Sequence, residues 1–174
     1  TFKPVWSEYS HVTSLTLSRL PRRQSAELMA ALTGGKALPS EVQQAILAKT
    51  DGVPLYIEAL TDNVLRSGLL TEGNKSFTLK GPLTGLPIPD SLQALLMERV
   101  DRLGPAKGIV QTGAAIGREF TYELVRATVD ATDSQLRQAL DRFVSSGLMF
   151  QEGEIPNATY HFKHALVQDA AYST

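Results

Sequence analysis

The chain has 174 residues, of which 43% are hydrophobic and 20% are charged, as in an ordinary globular protein. The sequence has no disordered tract, no signal-peptide pattern and no apolar run of the roughly 18 residues that a membrane span needs. The 17 basic and 18 acidic residues give a net charge of −1, so the basic excess typical of a dedicated nucleic-acid binder is missing. The lack of cysteine excludes disulfides and thiolate metal sites, and favours the reducing cytoplasm.

The first 20 residues are predicted to be the end of a sheet. The residue before Pro4 is kept out of the helical region of backbone conformation. Residues 12–17 alternate with a period of two, which is typical of a strand. Because one strand alone leaves its backbone hydrogen bonds unmade, either a sheet that precedes this chain is missing, which is the favoured interpretation, or this segment packs irregularly.

Residues 21–80 are predicted to form a small helical subdomain that ends in a hairpin. Apolar residues at helical spacing, each set followed by a glycine, indicate three helices. Pro54 suits the start of the third helix, where a missing N–H costs nothing. The residues on both sides of Gly73-Asn74 predict the β-hairpin.

The glycine- and proline-rich residues 81–89 are predicted to be a linker, which leaves residues 90–174 as a second domain. Asp90 with Gln93 has the spacing of a capping box, a motif that starts a helix. Thr132 with Gln135 has the same spacing, and Thr121 is a further helix cap. Two strands are predicted after the last of these helices, over residues 148–152 and 158–162.

Helices followed by a two-stranded ribbon are typical of a winged helix. The predicted fold class is therefore mainly α with short β-hairpins: a helical subdomain, then a winged-helix domain. A last helix has only just begun where the chain stops. We therefore expect the chain to be a piece of a longer protein.

The sequence contains no catalytic constellation. It has no phosphate-binding loop, no His-Glu-x-x-His pattern and no nucleophile elbow, so neither catalytic nor metal-binding residues are predicted. Pro54, two residues after Gly52, either only opens a helix or offers a rigid apolar edge to a flat heterocycle. His164 lies where a strand meets a helix. It either has a structural role, as a helix cap or a packing residue, or donates to a phosphate beside the helix N–H groups.

The predicted helix over residues 133–146 corresponds to the helix that enters the major groove in many winged-helix proteins. Its outward residues interleave acidic and basic side chains, which is typical of a solvated face. The sequence therefore disfavours DNA as a partner.

Three sequence runs carry a family resemblance. They are Asp51-Gly52-Val53-Pro54-Leu55, the run Gly-Ala-Ala-Ile-Gly-Arg-Glu-Phe over residues 113–120, and the run Phe-Lys-His-Ala-Leu-Val-Gln-Asp-Ala-Ala-Tyr over residues 162–172. With them, essentially the whole chain resembles the ATPase-like modules of STAND-type signalling proteins. The resemblance is closest to modules joined to bacterial class III adenylate/guanylate cyclases, and MalT-like regulators and NB-ARC switches are related.

The resemblance implies three binding positions. Gly52 and Pro54 match the Gly-x-Pro motif of the helical lid, whose proline lies against the bound adenine nucleotide. His164 matches the histidine of the Met-His-Asp motif, which contacts the β-phosphate of ADP. Lys3 stands where relatives have an arginine that could sense the γ-phosphate; a lysine there is a point charge without the planar fork.

The resemblance also implies cofactors and partners. ATP or ADP would bind with Mg²⁺ held by an upstream α/β nucleotide-binding core, of which residues 1–20 would be a strand remnant. This chain alone is expected to bind neither. The partners would be that core, a downstream helical-repeat domain and a fused effector, with no membrane. The chain itself is not expected to be an enzyme, whereas the longer protein would be an ATPase, a cyclase or both. Two alternatives stay open: a winged-helix DNA-binding regulator and a non-catalytic protein-interaction module.

Overall fold

A computed structural model of the protein describes residues 9, 11–13, 16–82, 89 and 91–173. The chain divides into two compact units, Thr1–Pro87 and Ile88–Thr174. The described residues are mainly helical, with short antiparallel strands, so the predicted fold class is confirmed. Among these residues, no helix is both long enough and apolar enough to cross a membrane.

The first unit is built around one buried helix. Its elements are α1 (Arg22–Leu32), α2 (Ser40–Thr50), α3 (Pro54–Arg66), β1 (Leu70–Glu72) and β2 (Phe77–Leu79). Helix α3 packs against both α1 and α2, and seven of its 13 residues are buried. Strands β1 and β2 are antiparallel, with Leu70 opposite Leu79. The three predicted helices and the predicted hairpin are therefore confirmed.

The strand predicted over residues 12–17 is not formed by the described part of that segment. Val12, Thr13, Thr16 and Leu17 lie outside any strand, and Leu17 is 92% exposed. A strand needs a neighbour to take its backbone hydrogen bonds, and neither sheet among the described residues includes this segment. Lys3, with the rest of residues 1–8, lies outside the described residues.

The second unit has the order of elements of a winged helix. It contains α4 (Leu92–Asp101), a 3-10 turn (Gly104–Ala106), α5 (Lys107–Ile116), β3 (Glu119–Thr121), α6 (Tyr122–Thr128), α7 (Asp133–Ser145), β4 (Met149–Glu152), β5 (Thr159–Phe162) and α8 (Ala165–Ser173). Strand β5 lies between β3 and β4 and is antiparallel to both. Strand β3 was not predicted from the sequence, because three residues are too few to show an alternation.

The core of the second unit centres on aromatic rings from the sheet. Phe120 of β3 stacks on Tyr160 of β5, with ring centroids 5.8 Å apart, and meets the edge of Phe162 at 5.9 Å. All three side chains are buried. Helix α8 then packs against α4 and α5, so the residues after the sheet complete this unit.

The helix caps of the second unit agree with the prediction in two of three places. Thr132 and Gln135 form the predicted capping box, and the hydroxyl of Thr121 accepts a hydrogen bond from the amide of Leu124 at 3.3 Å. Helix α4 differs: its cap is Ser91, whose hydroxyl accepts from the amide of Ala94 at 3.1 Å. The predicted cap, Asp90, lies outside the described residues. Serine and aspartate are equally good caps, so the sequence did not decide between the adjacent Asp90 and Ser91.

A carboxylate ties α6 to the start of α7. Asp133 accepts a hydrogen bond from the hydroxyl of Tyr122 and another from Nε of Arg137 at 2.6 Å, and Nε of Arg126 lies 3.5 Å away. The hydrogen bond from Tyr122, then that from Arg137, lowers the pKa of Asp133 below its usual value. Burial, then the bond to Asp133, raises the pKa of Tyr122.

This carboxylate should make the second unit sensitive to acid. Because the pKa of Asp133 is lower in the folded state, its contribution is complete above the unfolded value of 3.8 and is lost as the pH falls through the folded value. We expect Asp133→Asn to lower the free energy of unfolding at neutral pH. Below about pH 4, the variant should lose less stability with falling pH than the wild type does. Urea unfolding at neutral and acid pH measures both effects, with Asp141→Asn on the same helix as the control. An identical acid dependence in wild type and Asp133→Asn would contradict the prediction.

Candidate functional site

Gly52 occupies a place that only glycine fits. Its φ is +72° and its carbonyl accepts a hydrogen bond from the amide of Leu20 at 2.8 Å. An added Cβ would overlap the carbonyl oxygen of Leu20 and lie 3.3 Å from Cβ of Arg19. The preceding residue, Asp51, ends α2 in the left-handed conformation and forms an ion pair with Arg19. The glycine of the Gly-x-Pro run therefore holds the segment before α1 against the α2–α3 turn.

Pro54 is the first residue of α3, as predicted from its position after Gly52. The carbonyl of Val53 accepts from the amides of Tyr56 and Ile57, each at 3.0 Å, which starts the helix. The ring of Pro54 is exposed, and no side chain caps this helix end. A proline at this position starts the helix and leaves a rigid apolar ring exposed beside the helix N-terminus.

His164 caps α8. Its carbonyl accepts from the amide of Val167 at 2.9 Å, and its ring atom Nδ1 accepts from the amide of Leu166 at 3.3 Å. The capping interpretation of His164 is therefore confirmed. Because Nδ1 accepts a hydrogen bond, the proton of the neutral ring belongs on Nε2. The side chain is exposed, so Nε2 is an outward N–H donor beside the helix N-terminus.

The elements around His164 leave it little freedom. Strand β5 ends two residues earlier, and the amide of Lys163 donates to the carbonyl of Leu148 at 3.0 Å. On the other side, Nε2 of Gln168 in α8 donates to the carbonyl of Ala114 in α5 at 2.9 Å. The strand and the helix are both anchored within the second unit, so the junction that carries His164 is anchored as well.

The structure brings Gly52 and Pro54 together at the α2–α3 turn of the first unit, and it places His164 in the second unit. Lys3 lies outside the described residues, so its predicted role in sensing the γ-phosphate stays a prediction.

A second group of polar residues, on the outer face of the three-stranded sheet, was missed from the sequence. His161 of β5 lies opposite Glu119 of β3 and Phe150 of β4. Its ring stacks on Phe150 with centroids 4.8 Å apart, and its two nitrogens lie 3.4 Å from carboxylates of Glu119 and Glu152. Alternation along β5 predicts that His161 faces away from Phe162. Which residues lie opposite His161 on β3 and β4 depends on the strand register, which the sequence does not show.

Three carboxylates make this part of the sheet and the adjoining turn acidic. Glu119 and Glu152 are largely exposed, with 72% and 79% of their side-chain areas accessible, and Glu154 follows in the β4–β5 turn. The two nitrogens of His161 face different carboxylates, so one ion cannot bind all three groups. No group of three His, Asp or Glu side chains among the described residues is placed to hold a metal ion.

No family model matches the chain. The chain is 27% identical over 124 residues to an uncharacterized protein of Rhizobium meliloti (strain 1021). The matched region is 70% of this chain and 12% of that protein. The chain therefore spans a small part of the length of the relative that it matches.

Proposed function

We propose that this chain is the regulatory part of an ATP/ADP-dependent signalling switch, in which the first unit is a lid and the second a movable winged helix. A nucleotide-binding core in the same longer protein would supply the phosphate loop and the ligands of Mg²⁺. A fused effector, such as a nucleotide cyclase or a transcription regulator, would receive the signal. The observation that carries the proposal is the capping contact of His164.

The capping contact gives His164 the properties of a phosphate sensor. Its Nδ1 is occupied by the amide of Leu166, which orients the ring and leaves Nε2 to donate. A hydrogen bond from such a donor to a phosphate oxygen is charge-assisted and stronger than one between neutral groups. The first N–H groups of α8 add a favourable field for an anion. These features support a contact with the β-phosphate of ADP.

The lid supports the same proposal through Pro54. Its exposed ring stands at the uncapped start of α3, next to a turn that Gly52 holds rigid. A rigid apolar edge at a helix N-terminus fits an adenine nucleotide, which has a flat apolar ring and charged phosphates. A nucleotide that contacts these groups better in one state of the longer protein than in another favours that state.

The charge of the second unit argues against the DNA-binding alternative. A winged helix that reads DNA presents basic side chains to the phosphates. Here the three-stranded sheet and the β4–β5 turn carry Glu119, Glu152 and Glu154. On α7, Arg137 is paired with Asp133. We therefore assign the winged helix the role of a moving arm.

The test is to measure ADP affinity in the longer protein with its nucleotide core, using two variants of His164. His164→Asn should keep the cap of α8, because asparagine is among the best capping residues, but it loses the reach of Nε2. We expect both His164→Asn and His164→Ala to weaken ADP binding about 10-fold to 100-fold, the value of one hydrogen bond to a charged group. Pro54→Ala should weaken ADP binding by a smaller factor.

Thr132→Ala is the matched control, since it removes the cap of another helix in the same unit without touching the proposed site. It should lower stability by about 1 kcal/mol and leave ADP affinity unchanged. Calorimetric titration gives the affinities and thermal unfolding the stabilities. If ADP binds equally well to wild type, His164→Asn and Pro54→Ala, the switch proposal is wrong.

A further inference from the structure

A groove of about 560 Å³ lies between α5 and α7 in the second unit, away from His164. The first turns of α5 form one wall, α7 forms the other, and the α6–α7 loop closes one end. The floor is apolar: Ala106 and Ala139 are each 4% exposed, and Ile109 is half-buried. The volume is that of a site for a small organic molecule.

The α7 wall presents hydrogen-bond donors. Gln135, Gln138 and Arg142 follow one another at helical spacing on the groove side of the helix. Oε1 of Gln135 accepts from both the amide and the hydroxyl of Thr132, each at 2.9 Å, so its amide nitrogen is left to donate. The polar part of the groove near α7 is therefore suited to a hydrogen-bond acceptor.

Arg142 is the charged group of this wall. Its guanidinium makes no ion pair or hydrogen bond with any residue that the structure describes. Arg137 on the same helix, by contrast, is paired with Asp133 and lies over the ring of Tyr122 at 5.4 Å. The acidic residue that lines the groove, Asp130, lies in the loop before α7, whereas Arg142 lies in the last turn of α7. The start of α7 and Arg142 are roughly 13 Å apart along the helix. An anion is therefore favoured at the Arg142 end.

We propose that this groove binds a small organic acid: a carboxylate on Arg142, with an apolar body on the floor. The guanidinium has the planar fork that matches a carboxylate in two parallel hydrogen bonds. The amide of Gln138, one turn earlier, is a further donor. The alanines and Ile109 cover an aliphatic chain or an aromatic ring of the acid. This site shares no residue with Gly52, Pro54 or His164, so it does not depend on the proposed switch.

The experiment titrates the nitrogen-15-labelled chain with octanoate, phenylbutyrate and indoleacetate, each beside its neutral amide, and follows the NMR spectrum. We expect at least one acid to give saturable shifts that cluster at Ile109, Ala139 and the side-chain amide of Gln138. Its neutral amide should bind about tenfold more weakly, because it cannot pair with the guanidinium. Arg142→Gln should weaken binding of the acid by the same factor.

Arg118→Gln is the matched control. Arg118 precedes β3, is exposed, lies outside the groove, and has the same charge to lose. It should leave the affinity of the acid unchanged. No saturable shifts with any of the three acids, equal binding of acid and amide, or an equal loss in Arg118→Gln and Arg142→Gln would each overturn the proposal. Because Arg142 is an exposed residue near the end of a helix, its variant should remain folded and keep the result interpretable.

Discussion

Replacing Gly52 with alanine is expected to destabilise the first unit by about 2–5 kcal/mol. Two costs add: a left-handed conformation costs about 1–2 kcal/mol for a residue with a Cβ, and forcing an atom into filled space costs about 1–3 kcal/mol. The added Cβ would overlap the carbonyl oxygen of Leu20 and approach its amide nitrogen to 3.1 Å. Both are backbone atoms, so no rotamer change relieves the overlap.

Gly68→Ala separates the two costs. Gly68 also has a positive φ, +76°, but an added Cβ there meets no atom within 4 Å. We therefore expect Gly68→Ala to cost only about 1–2 kcal/mol. Urea unfolding followed by circular dichroism measures both variants, and hydrogen exchange of the α3 amides assigns the loss to the first unit. Equal losses in the two variants would mean that contact with Leu20 is not what requires glycine at position 52.

Replacing Gly113 with valine is expected to destabilise the second unit by about 3 kcal/mol or more, by overpacking a core that cannot expand. An added Cβ at Gly113 would lie 2.5 Å from Cε1 and 2.7 Å from Cζ of the Phe120 ring. The ring is held on its other sides by Tyr160 and Phe162, so it cannot move aside. Gly113→Ala should already destabilise, by about 1–2 kcal/mol, although alanine favours helices.

Gly108→Ala in the same helix is the control, because an added Cβ there meets no atom within 4 Å. It should stabilise the unit by about 0.5–1 kcal/mol through helix propensity alone. The decisive result is a difference of sign between the two glycine-to-alanine variants in thermal unfolding. If Gly113→Ala also stabilises, Phe120 is packed more loosely than the structure has it.

Packing requires several of the residues that carry the family resemblance. Gly52 and Gly113 belong to runs that carry the resemblance to STAND-type modules, and packing accounts for both of them. In the third run, Ala170 and Ala171 are fully buried, and His164 caps a helix. Much of each run therefore describes how the units fold. The exposed Pro54 and the Nε2 atom of His164 are left as the groups through which the nucleotide proposal is tested.

Local chemistry accounts for what could be predicted. Proline at the start of α3, the capping box of α7 and the cap of α6 depend on residues within a few positions of one another. The predicted hairpin likewise depends on a short turn between two short strands. The strand predicted over residues 12–17 failed for its described residues because alternation is a local signal, whereas a strand also needs a neighbouring chain segment.

The sequence by itself determined the mainly helical class, the starts of α3, α6 and α7, and the lack of a basic excess. Only the tertiary structure decided that β3 joins the sheet, that Glu119 and Phe150 flank His161, and that Arg142 faces a groove. The physical reason is range: caps and helical spacing act over one or two turns, while the pairing of β3 with β5 brings together residues about 40 positions apart. Which side chains meet across such distances depends on how whole elements pack.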